Sequence, residues 1–127
     1  MLTDDYIKYQ TIYEKKYGKK TVIFMQCGSF FEIYAMEENN GTFNLENLQE
    51  ISNILNIQIT KKDKKKDIVS ASNPYMMGFP TVAVDKFIQL LLNNFYTVVI
   101  IEQVSEPPKP ERKVTNIYSP GTNIEYC

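Results

Sequence analysis

Two short runs of apolar, largely β-branched residues set the terms for any fold of this chain: Thr-Val-Ile-Phe-Met at residues 21–25 and Thr-Val-Val-Ile-Ile at residues 97–101. Neither alternates polar with apolar, and each is too short for a buried helix, so both read as core strands that other elements must cover. The cover is present in three amphipathic patterns. Thr3 is placed to cap a helix with Asp4 and Asp5 in its first turn and Tyr6, Tyr9, Tyr13 and Tyr17 at helical spacing up to Gly18. Leu45, Leu48, Ile51 and Leu55 mark a second helix with Asn44 as its cap. Val84, Phe87, Ile88, Leu91 and Phe95 mark a third, capped by Thr81.

Between these patterns the chain alternates strands and turns. Gln26-Cys27-Gly28-Ser29 carries turn chemistry, and residues 30–34 read as the second arm of a hairpin. The two-residue period of a strand puts Phe30, Glu32 and Tyr34 on one face and Phe31 and Ile33 on the other. Residues 38–41 read as a loop, 57–60 as a short strand, 61–66 as a lysine-rich loop and 68–70 as a further strand. Asn73-Pro74 and Gly78-Phe79-Pro80 bracket a non-helical connection, since proline and glycine argue against a strand interior. Residues 107–110, with three prolines, form a stiff loop, 114–118 alternate as a last strand, and 119–122 close in a turn. The expected fold is α/β of the α+β kind, a mixed central β-sheet of about five strands flanked by about three helices. Residues 1–122 form that domain, and 123–127 begin a linker to a following domain.

Composition removes most chemistries. The chain has 127 residues, enough for one core, and with 43% hydrophobic and 23% charged residues it is neither disordered nor, with its short apolar runs, membrane-spanning. Its acidic start lacks the basic and apolar segments of a secretory signal, so an intracellular setting with reduced cysteines is expected. With no histidine and two cysteines, histidine-dependent nucleophilic catalysis and a tetrahedral zinc site are both excluded. Glu32 and Glu102 are the pair that would have to serve as acid and base in a hydrolase, but nothing marks a sugar-binding cleft, and Glu102 reads as a structural hydrogen-bonding residue. No phosphate-binding loop is present, so no nucleotide cofactor is expected within these residues. Net charge is −1, which would not draw the whole molecule onto nucleic acid, but five lysines cluster in residues 61–66 and four in residues 15–20.

The informative segment is Gly28-Ser29-Phe30-Phe31-Glu32. An aromatic ring and a carboxylate on one strand face suit base recognition: the ring can enter a base step and the carboxyl can hydrogen-bond the displaced base. The same residues also fit a half-buried edge aromatic beside a surface acid.

In its wider context the segment resembles the mismatch-binding N-terminal domain of the MutS family of DNA mismatch-repair ATPases. Residues 28–34 are similar to the family's G-D-F-Y-E-L-F and residues 56–61 to its D-I-x-L-T-x. Met76-Met77-Gly78-Phe79-Pro80 with Ala83-Val84 is similar to M-A-G-x-P-x-x-A-V, Ile101-Glu102-Gln103 to C-E-Q, and Glu111-Arg112-Lys113-Val114 with Pro120-Gly121-Thr122 to E-R-K-V and T-P-G-T. Five ordered segments with compatible spacing make the likeness specific, and the wording is nearest to the branch found in giant viruses and octocoral mitochondria. The resemblance implies mismatched double-stranded DNA as partner, Phe30 as a wedge stacked on the mispaired base from the minor groove, and Glu32 as its hydrogen-bonding partner. Lys61 and Lys62 fall where the phosphate backbone is expected. It further implies that the full-length protein is a dimeric ATPase using ATP and magnesium, with the ATPase in other domains. Ser29 replaces the family's acid and Gln26-Cys27 its Arg-Met, both near the expected DNA surface, so lesion preference does not carry over; Thr81-Val82 replaces its Tyr-His, a change that concerns packing at the start of a helix. The rival expectation is a protein-interaction or scaffolding domain that has lost DNA binding, with Phe30 buried and Glu32 satisfied within the protein. Exposure of the Phe30 ring separates the two.

Overall fold

The computed structural model describes residues 2–38, 41–70, 73–106, 108 and 110–120. In chain order the elements are α1 (Leu2–Tyr17), β1 (Thr21–Cys27), β2 (Phe30–Glu38), β3 (Gly41–Phe43), α2 (Leu45–Leu55), β4 (Thr60–Lys61) and β5 (Tyr75–Pro80). A 3-10 turn (Thr81–Ala83), α3 (Val84–Asn93), β6 (Thr97–Gln103) and β7 (Arg112–Tyr118) complete them. The two apolar runs lie side by side as β1 and β6, parallel, with Thr21 opposite Thr97 and Met25 opposite Ile101. They occupy the middle of a sheet ordered β4-β5-β2-β1-β6-β7, with β3 paired off this path to the far end of β2. Every other pairing is antiparallel, so the sheet is mixed as expected, with seven strands among the described residues where about five were anticipated.

Burial on both faces explains the unbroken apolar wording of β1 and β6, where residues 22–25 and 98–101 are buried without exception. One face carries Phe24, Phe31 and Phe79, with centroids of Phe24 and Phe79 5.0 Å apart, and α3 adds Phe87 at 4.5 Å from Phe79. On the other face Tyr6 of α1 meets Tyr34 edge-on at 5.2 Å. The Tyr6 hydroxyl donates to the Ile23 carbonyl at 3.1 Å, and Gln10 donates to the Thr21 carbonyl at 2.7 Å, so buried polar groups fix α1 along β1. Among the described residues no helix is long and apolar enough to cross a membrane.

Several local expectations are corrected. Thr3 does not precede the first helix but lies buried within it. Asn44 stands at the N-cap of α2 in a left-handed conformation, φ 58°, without a capping side-chain bond; its amide instead donates to the Tyr34 carbonyl at 2.9 Å, tying α2 to β2. Thr81 opens the 3-10 turn rather than α3. The strand expected at 57–60 shrinks to β4, because Ile57 completes the end of α2: its N–H donates to the Ser52 carbonyl at 3.2 Å beyond left-handed Asn56. Residues 68–70 make one isolated bridge, Ser70 to Asn73, and no strand. The connection bracketed by Asn73-Pro74 and Gly78-Phe79-Pro80 is β5, a full partner of β2 from Ala35–Tyr75 to Phe30–Pro80. Its prolines sit just before and at the end of the strand, where the missing donors cost little. The closing turn at 119–122 and the boundary at 122/123 fall largely outside the described residues, as do Asn39, Asn40, Pro107 and Lys109.

Candidate nucleic-acid interface

The β1–β2 turn is tethered on both sides. Cys27 pairs with Phe30 across a two-residue turn, Gly28-Ser29, and Gly28 takes φ 62°, a conformation glycine adopts without steric cost. Gln103 Oε1 accepts the Gly28 N–H at 3.0 Å, Gln26 Nε2 donates to the Gly28 carbonyl at 2.9 Å, and Gln103 N donates to Gln26 Oε1 at 2.8 Å. These three bonds close a ring around the turn. Arg112 Nε adds a bond to the Gln26 carbonyl at 2.9 Å, and on the other side Thr81 N donates to the Ser29 carbonyl at 2.8 Å.

From this anchored turn β2 runs inward with alternating environments. Phe30 is 46% exposed, whereas Phe31, facing the aromatic cluster, is 4% exposed. Glu32 follows on the Phe30 face, and Tyr34 one step deeper is buried beneath Tyr6. Glu32 Oε1 accepts the Tyr34 hydroxyl proton and also pairs with Lys62 Nζ at 3.2 Å. Lys62 donates to the Tyr34 oxygen at 2.8 Å, with its ammonium 5.0 Å from the ring centroid. Burial, then the Glu32 carboxylate, pushes the Tyr34 hydroxyl far above its ordinary pKa, so it stays a donor. Cys27 Sγ lies 3.8 Å from the same hydroxyl; burial and then the Glu32 charge push its thiol up, while Lys62 pulls the other way. Gly78 stands opposite Glu32 on β5, where a Cβ would come 3.1 Å from the Phe31 carbonyl oxygen and 3.5 Å from Glu32 Cγ. Its lack of a side chain is what lets β5 lie so close beneath the carboxylate.

The lysine-rich segment is an ordered turn rather than a loose loop. Asn73, 1% exposed, accepts the Asp63 N–H on Oδ1 at 2.7 Å and donates to the Ile68 carbonyl at 3.0 Å. Lys62 N donates to the Pro74 carbonyl at 3.0 Å, and Asp63 Oδ1 takes the Lys65 N–H at 3.0 Å. All four residues singled out from sequence, Phe30, Glu32, Lys61 and Lys62, therefore line one open cavity of about 500 Å³, joined by Lys64 and Met76. Glu102 does not join them. It lines a separate cavity with Gln26 and Phe31 and accepts the Thr115 hydroxyl at 2.5 Å, the structural use expected of it. The second lysine cluster sits at the opposite end of β1, where Lys20 donates to the Asn94 carbonyl at 2.9 Å and pairs with Glu50 at 3.5 Å.

Sequence reasoning missed the roles of Tyr34, Asn73, Gly78, Gln26 and Gln103. Tyr34 was legible to the extent that the strand period places it on the Glu32 face. The others act through strands whose pairing no local pattern announces.

Fold and site together define a class: an α+β domain whose tethered hairpin presents an exposed ring and a cation-paired carboxylate to a lysine-lined cleft. The chain belongs to the MutS family of DNA mismatch-repair proteins, the family model for MutS domain I matching residues 7–126. It is 36% identical over 121 residues to a DNA mismatch repair protein mutS homolog of Acanthamoeba polyphaga mimivirus, an overlap of 94% of this chain and 10% of that protein. Over 129 residues it is 31% identical to the DNA mismatch repair protein MutS of Staphylococcus aureus strain JH9, covering 98% of this chain and 12% of the relative. The chain thus spans about a tenth of the length of the curated relatives it matches. Domain I is not itself the ATPase domain of the family.

Proposed function

We propose that this domain recognises mismatched double-stranded DNA, with Phe30 entering the base stack from the minor groove and Glu32 hydrogen-bonding the base it displaces. The observation that carries this reading is the Phe30 ring, 46% exposed at a rigidly tethered turn and lining a cleft with Lys61, Lys62 and Lys64. The scaffolding alternative expects a buried Phe30, against its exposure, and a Glu32 satisfied within the protein, which the bonds to Tyr34 and Lys62 supply. Unstacking a base step costs a few kcal/mol, and less where pairing is already poor, so an inserted ring turns DNA deformability into discrimination. A net charge of −1 keeps phosphate attraction from overwhelming that difference. Clamping of the duplex, dimerisation and ATP hydrolysis with magnesium belong, in this reading, to other domains of a full-length protein.

The test is Phe30→Ala in the intact protein, with binding measured on perfect and mismatched duplexes. The ratio of mismatched to perfect affinity should fall roughly five- to 150-fold, the equivalent of about 1–3 kcal/mol of base stacking. A preserved ratio would refute the wedge.

A further inference from the structure

We infer that Lys62 and Tyr34 are positioning residues for Glu32, holding its carboxylate as a charge-compensated, oriented acceptor, and that Lys62 is thereby withdrawn from phosphate binding. The inference rests on the reading of Glu32 as the base-contacting residue. Its ground is the convergence of two donors on one oxygen: the Tyr34 hydroxyl and the Lys62 ammonium both reach Oε1, and Lys62 also donates to Tyr34 at 2.8 Å. Tyr34 is satisfied by this arrangement, giving its single proton to Glu32 and accepting from Lys62, with Cys27 Sγ within 3.8 Å. The Lys62 backbone is pinned at the end of β4 by its bond to Pro74, and Asn73 holds the next residue, so the ammonium is delivered to the carboxylate by ordered structure. The family segment G-D-F-Y-E-L-F has Phe at the place of Tyr34, so this hydroxyl belongs to this chain's own version of the site.

Two consequences follow from charge and geometry. A bare carboxylate brought against DNA is repelled by the phosphates, but one with an ammonium 3.2 Å away approaches as part of a neutral pair. With Oε1 occupied by two donors, Oε2 takes neither of these bonds, and in this proposal it is the oxygen that accepts an N–H from a displaced base, as a thymine imino group would offer. Discrimination by Glu32 then depends on Lys62 and Tyr34, and the three effects are not additive.

The experiment measures affinities of the intact protein for a perfect duplex and one with a single G·T mispair. Lys62→Met and Tyr34→Phe are each made alone and in a Glu32→Gln background. Both changes keep much of the apolar body of the side chain, Tyr34→Phe its ring against Tyr6 and Lys62→Met an unbranched stem of similar length. Each single change should lower the mismatch-to-match ratio roughly three- to tenfold, the range of one hydrogen bond. In the Glu32→Gln background neither should change the ratio by more than about twofold. Lys62→Met weakening both duplexes by one factor, with the ratio intact, would overturn the inference and return Lys62 to the phosphate backbone. An unchanged ratio in Tyr34→Phe would overturn it as well. A wild-type ratio of one would overturn the mismatch-recognition reading itself, a result distinct from either.

Discussion

Phe30 and Phe31 are chain neighbours with opposite surroundings, the first 46% exposed beside the lysine-lined cleft and the second 4% exposed among Phe24 and Phe79. The alternation of β2 separates an exposed ring from a packed one at one peptide bond. Phe31→Ala should cost about 3–5 kcal/mol of unfolding free energy, as removal of a core phenylalanine does. Phe30→Ala should stay within about 1 kcal/mol of wild type. Urea denaturation of the two variants checks this, and an equal loss in both would place Phe30 in the core.

Lys61 and Lys64 line the cleft beside Lys62, and the withdrawal of Lys62 from phosphate, as inferred above, leaves that contact to them. Lys61→Ala should weaken perfect and mismatched duplexes by the same factor and reduce the salt slope of binding by about one. Titrations at several salt concentrations decide it; an unchanged slope would show that Lys61 stays clear of the backbone.

Cys27 reports on the charge pair without any DNA present. Its thiol is held above the ordinary value by burial first and by the Glu32 charge second, with Lys62 acting in the opposite sense. In a Cys127→Ser background the pH midpoint of its alkylation by iodoacetamide should therefore lie above that of a free cysteine, about 8.5. Glu32→Gln removes a negative charge that disfavours the thiolate, so the midpoint should fall and the rate at pH 8 rise. Lys62→Met removes the compensating cation, so the midpoint should rise further. A midpoint indifferent to both substitutions would show that the pair does not persist in solution.

The ring formed by Gln26, Gly28 and Gln103 should behave as one unit. Gln103→Ala and Gln26→Ala should each cost about 0.5–1.5 kcal/mol of stability, and the double variant less than the sum of the two. Both should also lower the mismatch-to-match ratio, because the turn they hold presents Phe30. Additive losses, read from denaturant midpoints, would mean that the bonds are independent and the turn is rigid without them.

What could be read from the sequence was what a single element determines. The continuous β-branching of residues 21–25 and 97–101 announces strands buried on both faces, and the period of β2 puts Phe30 and Glu32 on one side with Phe31 on the other. β5 was illegible because Pro74, Gly78 and Pro80 carry the marks of a loop, while their acceptability comes from pairing with β2, more than forty residues earlier in the chain. Lys62 was singled out with Lys61 through the family resemblance, as a phosphate contact, and nothing local marks it as the partner of Glu32. Its partner is chosen by the edge position of β4 and the side-chain bonds of Asn73, both products of tertiary structure.

The central claim is that the Phe30 ring enters the base stack, and fluorescence of 2-aminopurine placed next to a mispair reads that event most directly, since the probe brightens when it loses its stacking partner. On binding the intact protein, the probe should brighten in the mismatched duplex and not in the perfect one, and Phe30→Ala should abolish the rise while the duplex is still bound at saturating protein. An undiminished rise with Phe30→Ala would contradict the account.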